Sequence, residues 1–287
     1  MTTSSPPNAS ASGAFTLGGD MTVNRLGFGA MRLTGEGVWG EPKDEQAAKA
    51  VLRRAVELGV DFIDTADAYG PDVSERLIGE TLAPYPAGLV IATKGGLLRG
   101  GPDNWSSNGH PAHLRDAIEG SLRRLRLERI DLYQFHRPDP DVPFEESVGT
   151  LADLQKEGKI RHVGLFNVDV DQLNRARAIV PIASVQNRYN LSDRASEDVL
   201  DECEREGIGF IPWFPLAAGP LTRSGGPLDQ LAKAHNATQG QLALAWLLRR
   251  SPVMLPIPGT SSVAHLEENV AAAAITLTDE EMRSLEG

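Results

Sequence analysis

The chain has a single cysteine, Cys203, among 287 residues, so no internal disulfide can form. The helical setting of that cysteine, DVLDECEREG, predicts a packed or half-exposed thiol, and cytoplasmic residence is expected. Basic residues are also in deficit. Against 39 Asp and Glu stand 28 Lys and Arg, a net charge of −11, which leaves no basic face for nucleic acid. An anionic cofactor held by a local cluster is still allowed. The Arg-rich run SLRRLRLER reads as the polar face of a helix. No apolar stretch approaches the roughly 18–20 residues that a membrane span needs. The opening MTTSSPPNASASGA has neither a basic start nor an apolar core. Residues 1–14 are therefore expected to be a disordered tail and not a secretory signal.

What is present is an ample core. Hydrophobic residues make up 41% of the chain and charged ones 23%, as in ordinary globular proteins. Phe15 to Val23 predicts a hairpin turning at Gly18, Gly19 and Asp20. Eight near-continuously apolar runs follow: 25–31, 61–66, 89–94, 131–136, 162–167, 184–190, 210–216 and 254–259. Such runs suit strands buried on both faces. Between and after them lie helical periodicities over 44–58, 74–82, 111–126, 144–157, 170–178, 195–206, 239–250 and 263–273, with a last capped stretch at 278–285. Gly59, Gly158 and Gly207 follow three of these and suit left-handed caps.

Eight β/α units without a polar linker point to one α/β domain over 15–287, a single (β/α)8 TIM barrel with an N-terminal β-hairpin. A doubly wound sheet is the rival, and it would carry a glycine-rich phosphate turn after its first strand. That place reads GFGAMR, with Arg32 where a third glycine should fall, so the fingerprint fails. Three long connections, Arg32–Lys43, Gly95–His110 and the glycine-rich Leu216–Leu228, are expected to shape substrate access.

Chemistry concentrates at the carboxyl ends of the second, third and fourth runs, in FIDTADAYG, LVIATKGG and DLYQFHR. In a closed parallel barrel these ends share one face, so Asp64, Tyr69, Lys94 and His136 are expected to converge. A phenol is a slow acid at neutral pH, its free pKa being near 10. An ammonium lowers it, a carboxylate holds the ammonium, and an imidazole polarises a carbonyl or relays the proton. Each residue alone reads equally as a packed ring or a solvated charge; the joint placement does not. His110 and His113 are spaced i, i+3, but Pro111 sets them at a helix entry and no third ligand is near, so no metal site is expected.

DTADAYG, IATKGG and DLYQFH together resemble the motifs of the aldo-keto reductase superfamily, and the likeness runs from Phe15 onward. The resemblance implies a metal-free, NAD(P)H-dependent carbonyl reductase with Asp64, Tyr69, Lys94 and His136 as its tetrad and Tyr69 as proton donor. It implies cofactor contacts at Gly29, Ala30, Met31 and Asp64, and at Asn167 and Gln186 for the carboxamide. Trp213 would lie against the nicotinamide, followed by Phe214, Pro215 and Leu216. IPGTSSVAHLEEN resembles the adenosine-phosphate segment, bringing in Ile257, Gly259, Thr260, Ser261, Ser262, His265, Glu268 and Asn269. His265 is its only basic residue. Phe166 departs from the family's usual Ser and removes one donor. GTSSVAHL, AYGP and PWFPL look most like bacterial pyridoxal reductases, which implies NADP(H), with NAD(H) possible, and pyridoxal among small or aromatic carbonyl substrates.

The substrate pocket is expected at Met31, Trp39 and Trp105, beside Tyr69 and His136. Neither nucleic acid nor membrane is an expected partner, and a monomer or weak homo-oligomer fits. Two other functions fit parts of the pattern: a cofactor-binding redox-sensing subunit with negligible turnover, and a sugar-phosphate isomerase on the same barrel.

Overall fold

The structure is a computed structural model that describes residues 6–215 and 226–286. The hairpin is β1 (Ala14–Leu17) against β2 (Met21–Asn24), antiparallel, with Leu17 opposite Met21. The barrel begins at β3 (Phe28–Gly29) and continues through α1 (Glu45–Glu57), β4 (Phe62–Asp64), α2 (Val73–Leu82) and β5 (Val90–Gly95). A second hairpin, β6 (Leu97–Gly101) and β7 (Asn104–Ser107), then precedes α3 (Pro111–Leu125). The units β8 (Ile130–Phe135) with α4 (Phe144–Lys156), and β9 (Ile160–Phe166) with α5 (Val170–Arg177), come next. They are followed by β10 (Ile182–Arg188) with α6 (Glu197–Glu206), and by β11 (Gly209–Trp213). The chain ends in α7 (Pro227–Ala234), α8 (Gln239–Arg250), α9 (Val263–Ala271) and α10 (Asp279–Glu286).

The parallel sheet runs β3-β4-β5-β8-β9-β10-β11. Its closure is made by the eighth apolar run. Phe210 N donates to Val253 O at 2.8 Å, Leu255 N to Phe210 O at 2.8 Å, and Gly27 N to Pro256 O at 3.0 Å. That run does not form the regular strand expected over 254–259. Pro256 and Pro258 bring no N–H to the ladder, so the bonds that close the barrel are intermittent.

Strand parity divides the core. Inward residues Phe62, Val90, Ala92, Leu132, Ile211 and Leu255 pack with Leu17, Met21 and Val23 of the first hairpin, which plugs one end of the barrel. Outward residues such as Ile63 and Ile91, or Tyr133 and Phe135, pack beneath the helices. Because side chains alternate along a strand, the inward set continues to Asp64 on β4, to Lys94 on β5 and through Gln134 to His136 after β8. The apolar plug occupies one end, and the polar inward residues gather at the other.

Three expectations change. The tail is not disordered through residue 14: Ala9–Ser12 form a 3-10 turn capped by Asn8. Ala9 is fully buried and its N–H reaches Leu58 O at 2.8 Å, while Ser12 Oγ accepts from Leu26 N at 3.0 Å. Small residues fit a shallow groove there, so low hydrophobicity was a poor guide. Gly95–His110 is not an open loop but carries the β6–β7 hairpin. Of the expected loop 216–228, residues 216–225 lie outside the described residues, and Pro227 already opens α7, as proline can at a first helical position. The three predicted cap glycines all have positive φ: 77° at Gly59, 78° at Gly158 and 67° at Gly207.

Candidate active site

A cavity of about 490 Å³ opens at the carboxyl ends of the strands, lined by residues at or after most of the barrel segments, from Gly29 to Gly259. At its floor Lys94 Nζ lies 2.5 Å from Asp64 Oδ1, 3.2 Å from Tyr69 Oη and 2.9 Å from Thr65 O. Lys94 is fully buried and Asp64 nearly so. The second carboxylate oxygen of Asp64 accepts from Gln134 Nε2 at 2.8 Å and from Gln186 Nε2 at 2.9 Å. The ammonium and carboxylate thus meet in a dry site with their remaining hydrogen-bonding positions filled, as a buried ion pair requires. On the other side of β5, Thr93 faces outward and donates to Glu75 at 2.5 Å, and Arg124 Nε donates to the same carboxylate at 2.7 Å. These contacts anchor the strand that carries Lys94.

The ring of His136 meets that of Tyr69 edge to face, centroids 5.9 Å apart at 80°. His136 Nδ1 is buried with no partner among the described residues, which leaves Nε2 as the nitrogen that can meet a ligand. Burial first, then the Lys94 and Arg137 charges, hold the imidazole well below its ordinary range. It is therefore neutral at physiological pH. Burial pushes Tyr69 upward, and although Lys94 pulls it down, burial wins. The expected lowering by the ammonium is thus present but outweighed. For Lys94 burial acts downward, yet Asp64 and Tyr69 together carry it above its usual value. The result is a protonated phenol, a charged ammonium and a neutral imidazole around one cavity. The phenol accepts from Lys94, so its own proton is free to point into the cavity.

An aromatic wall extends from this group. Phe166 meets His136 at 5.1 Å and 78°, and lies parallel to Trp213 at 6.0 Å and 9°. Trp213 Nε1 donates to Asn167 Oδ1 at 2.8 Å. Asn167 has a positive φ of 53°, a conformation that Asn tolerates better than most residues.

Most residues expected at the site do line the cavity: Gly29, Met31, Asp64, Tyr69, Trp105, His136, Asn167, Gln186, Trp213, Phe214, Pro215, Ile257 and Gly259. Lys94 reaches it only through its partners. Ala30 is buried behind the wall, its carbonyl accepting from Ser74. Trp39 is a correction. It stands outside the lining, 36% exposed, beneath the Arg99 guanidinium at 5.5 Å. Arg99 also stacks on Trp105 at 3.6 Å and donates to Val38 O, Gly37 O and Ala68 O at 2.6, 2.8 and 3.0 Å. It ties the second hairpin to the segment just before Tyr69.

Thr260, Ser261, Ser262, His265, Glu268 and Asn269 do not line the cavity; they form the entry and first turns of α9. Ser262 caps it through His265 N, Thr260 Oγ1 accepts from Ser262 N, and Glu268 accepts from Thr238. Leu216 lies outside the described residues. Sequence reasoning missed Gln134, Leu97, Arg32, Arg137 and Pro258. For Gln134 a signal existed, since it sits two residues before His136 and so shares its inward parity.

Residues 25–287 match the aldo/keto reductase family. An uncharacterized oxidoreductase of Schizosaccharomyces pombe is 53% identical, over 99% of this chain and 92% of that protein. Pyridoxine 4-dehydrogenase of Escherichia coli is 44% identical, over 96% of this chain and 98% of that protein. A Klebsiella pneumoniae aldo/keto reductase solved with NADP and acetate superposes with a TM-score of 0.81 at 27% identity, covering 95% of this chain and 93% of that one.

Proposed function

The chain belongs to the aldo/keto reductase family and is an NAD(P)H-dependent carbonyl reductase, and from that premise we propose that it reduces aldehydes or ketones to alcohols with NADPH, Tyr69 delivering the proton. The observation that carries this reading is Lys94 Nζ at 3.2 Å from Tyr69 Oη beside a neutral His136. Pyridoxal is the leading substrate, in keeping with the name of the E. coli relative. NADPH is preferred to NADH because the Klebsiella relative was solved with NADP.

The residues fit a nicotinamide. Gln186 spends its amide nitrogen on Asp64 and Gln134, so it offers an oxygen. Asn167 spends its oxygen on Trp213, so it offers an NH2. One donor and one acceptor complement a primary carboxamide, and Trp213 offers a ring face. Bound there, the reduced nicotinamide supplies a hydride to the carbonyl carbon. The chain's own residues do the rest. Tyr69 donates its proton to the carbonyl oxygen, Lys94 stabilises the phenolate left behind, and Asp64 holds Lys94. His136 donates a hydrogen bond through Nε2 to the same oxygen without adding a charge, while Phe166 and Trp105 keep water out.

The test is NADPH and NADH oxidation in parallel over a panel of carbonyl compounds that includes pyridoxal. Turnover with NADPH is expected; tight NADPH binding without turnover of any carbonyl would favour a redox-sensing role instead.

The pH profile follows from the directions of the shifts. His136 lies well below its ordinary 6.5 and Tyr69 above its ordinary 10.0. Between those two values neither group titrates, so kcat/KM for reduction should be flat. It should fall as pH rises past Tyr69's own pKa, when the phenol no longer holds a proton. A break of one proton between pH 6.5 and 10.0 contradicts the proposed states.

Phe166→Ser is expected to tighten NADPH binding. A hydroxyl restored beside Asn167 adds one hydrogen bond, worth about 0.5–1.5 kcal/mol, or roughly two- to twelvefold. The same change removes the ring between His136 and Trp213, so the melting temperature should drop. Fluorescence titration and a thermal melt separate the two effects; an unchanged or weaker dissociation constant refutes the account.

A further inference from the structure

Two charges in the cavity contact none of the groups in the chemistry above, although Arg137 helps at a distance to hold His136 neutral. Arg32 and Arg137 both line it, and among the described residues neither guanidinium has a carboxylate partner or a hydrogen-bond acceptor. Among the described residues of the lining the one acidic side chain, Asp64, is already engaged by Lys94, Gln134 and Gln186. His136 contributes no cation, since burial keeps it neutral. The mouth of the cavity is thus cationic in a chain whose net charge is −11. The net negative charge repels anions at long range, and the two arginines oppose that locally.

The two arginines sit on different sides. Arg32 follows β3, and its Cγ lies 3.7 Å from where a Cβ on Gly259 would stand. That flank, with Ile257 and Pro258, leads to the segment which the family resemblance links to the dinucleotide. Arg137 follows His136 directly at the end of β8, three strands round the sheet from β3. It is therefore beside the group that meets the carbonyl oxygen.

We propose that Arg137 makes an anion subsite for the substrate, so that the preferred substrates are aldehydes or ketones carrying a carboxylate, phosphate or phenolate oxygen. This rests on reading the cavity as the reductase site. A guanidinium presents a planar fork that binds a carboxylate or phosphate through two parallel hydrogen bonds, which a point charge does not. The side chain is exposed, so solvent screens part of the attraction. An advantage of about two- to fivefold for the charged substrate is expected, shrinking as salt is added. Ionised pyridoxal, with its phenolate next to the aldehyde, falls in this class.

The experiment compares 4-carboxybenzaldehyde with 4-methylbenzaldehyde, which differ chiefly in charge. Binding is read from tryptophan fluorescence with NADP+ present, since Trp105 and Trp213 line the cavity. Turnover is read with NADPH. The wild type should prefer the carboxylate in both assays; R137Q should bring the ratio close to one, R137K should keep part of it, and R32Q should keep most of it. The subsite is overturned if the wild type shows no preference, if R137Q keeps it, or if R32Q loses as much. It is also overturned if R137Q weakens NADPH binding as strongly as it weakens the carboxylate, because the charge then serves the cofactor. A binding preference that holds while no aldehyde turns over supports the subsite and sinks the reductase reading. Turnover without preference does the reverse.

Discussion

Tyr69→Phe is expected to lower kcat/KM for aldehyde reduction by about 10²–10⁴-fold, the usual contribution of a positioned general acid. The variant should fold. Lys94 keeps Asp64 at 2.5 Å and Thr65 O at 2.9 Å after the phenol oxygen is gone, so the ammonium is not stranded. Loss of one buried hydrogen bond should cost about 1 kcal/mol. NADPH binding should stay close to wild type, because the expected carboxamide contacts come from Asn167 and Gln186 and not from the phenol. Steady-state NADPH oxidation and a fluorescence titration together decide it. Near wild-type turnover would show that the proton comes from another group, and His136 would be the next to test.

Lys94→Met should have the largest effect on stability as well as abolishing efficient reduction. It removes the cation from a pair whose side chains are 0% and 2% exposed, leaving a buried carboxylate with two amide donors. Stranding one partner of such a pair costs about 3–5 kcal/mol, and in a domain of this size that lowers the melting temperature by roughly 6–20 °C. Activity falls for a separate reason: burial already raises Tyr69, and without the ammonium nothing stabilises its conjugate base. The two effects come apart in the double variant Lys94→Met/Asp64→Asn. Neutralising the stranded carboxylate should restore most of the stability, and activity should stay lost. A Lys94→Met protein that melts within 1–2 °C of wild type would show that the Asp64 carboxylate is not left as an uncompensated buried charge, and would overturn this account.

Much of this site was readable because a strand alternates its faces. In β5 the order Thr93, Lys94 decides which side chain enters the barrel, and a shift of one residue would have exchanged them. The run-end positions of Asp64, Lys94 and His136 therefore carried both depth and facing. Tyr69, five residues beyond Asp64 on an irregular segment, had no such guarantee, and the DTADAYG motif rather than periodicity pointed to it. Gln134 escaped notice, although it shares the inward parity of His136, because a glutamine in a strand carries no chemical signal of its own. Gln186 was expected at the carboxamide, but that it and Gln134 share one oxygen of Asp64 emerged only when β8 and β10 were seen to point both amides there. Arg99 is a further case: its acceptors are the backbone carbonyls of residues 37, 38 and 68, contacts that no side-chain pattern encodes.

The sequence by itself determined the β/α alternation, the hairpin at the start, the inward parity of the catalytic strands and the kind of chemistry those side chains can do. All of these depend on neighbours a few residues apart, where repeat and register are local properties of the chain. Only the tertiary structure decided which protonation states the phenol and imidazole hold, how Trp213 turns Asn167, that Trp39 lies outside the cavity, and that two arginines stand in it without a partner among the described residues. Those outcomes depend on burial and on distances between residues far apart in the chain, and they are set when the barrel closes through its interrupted eighth run.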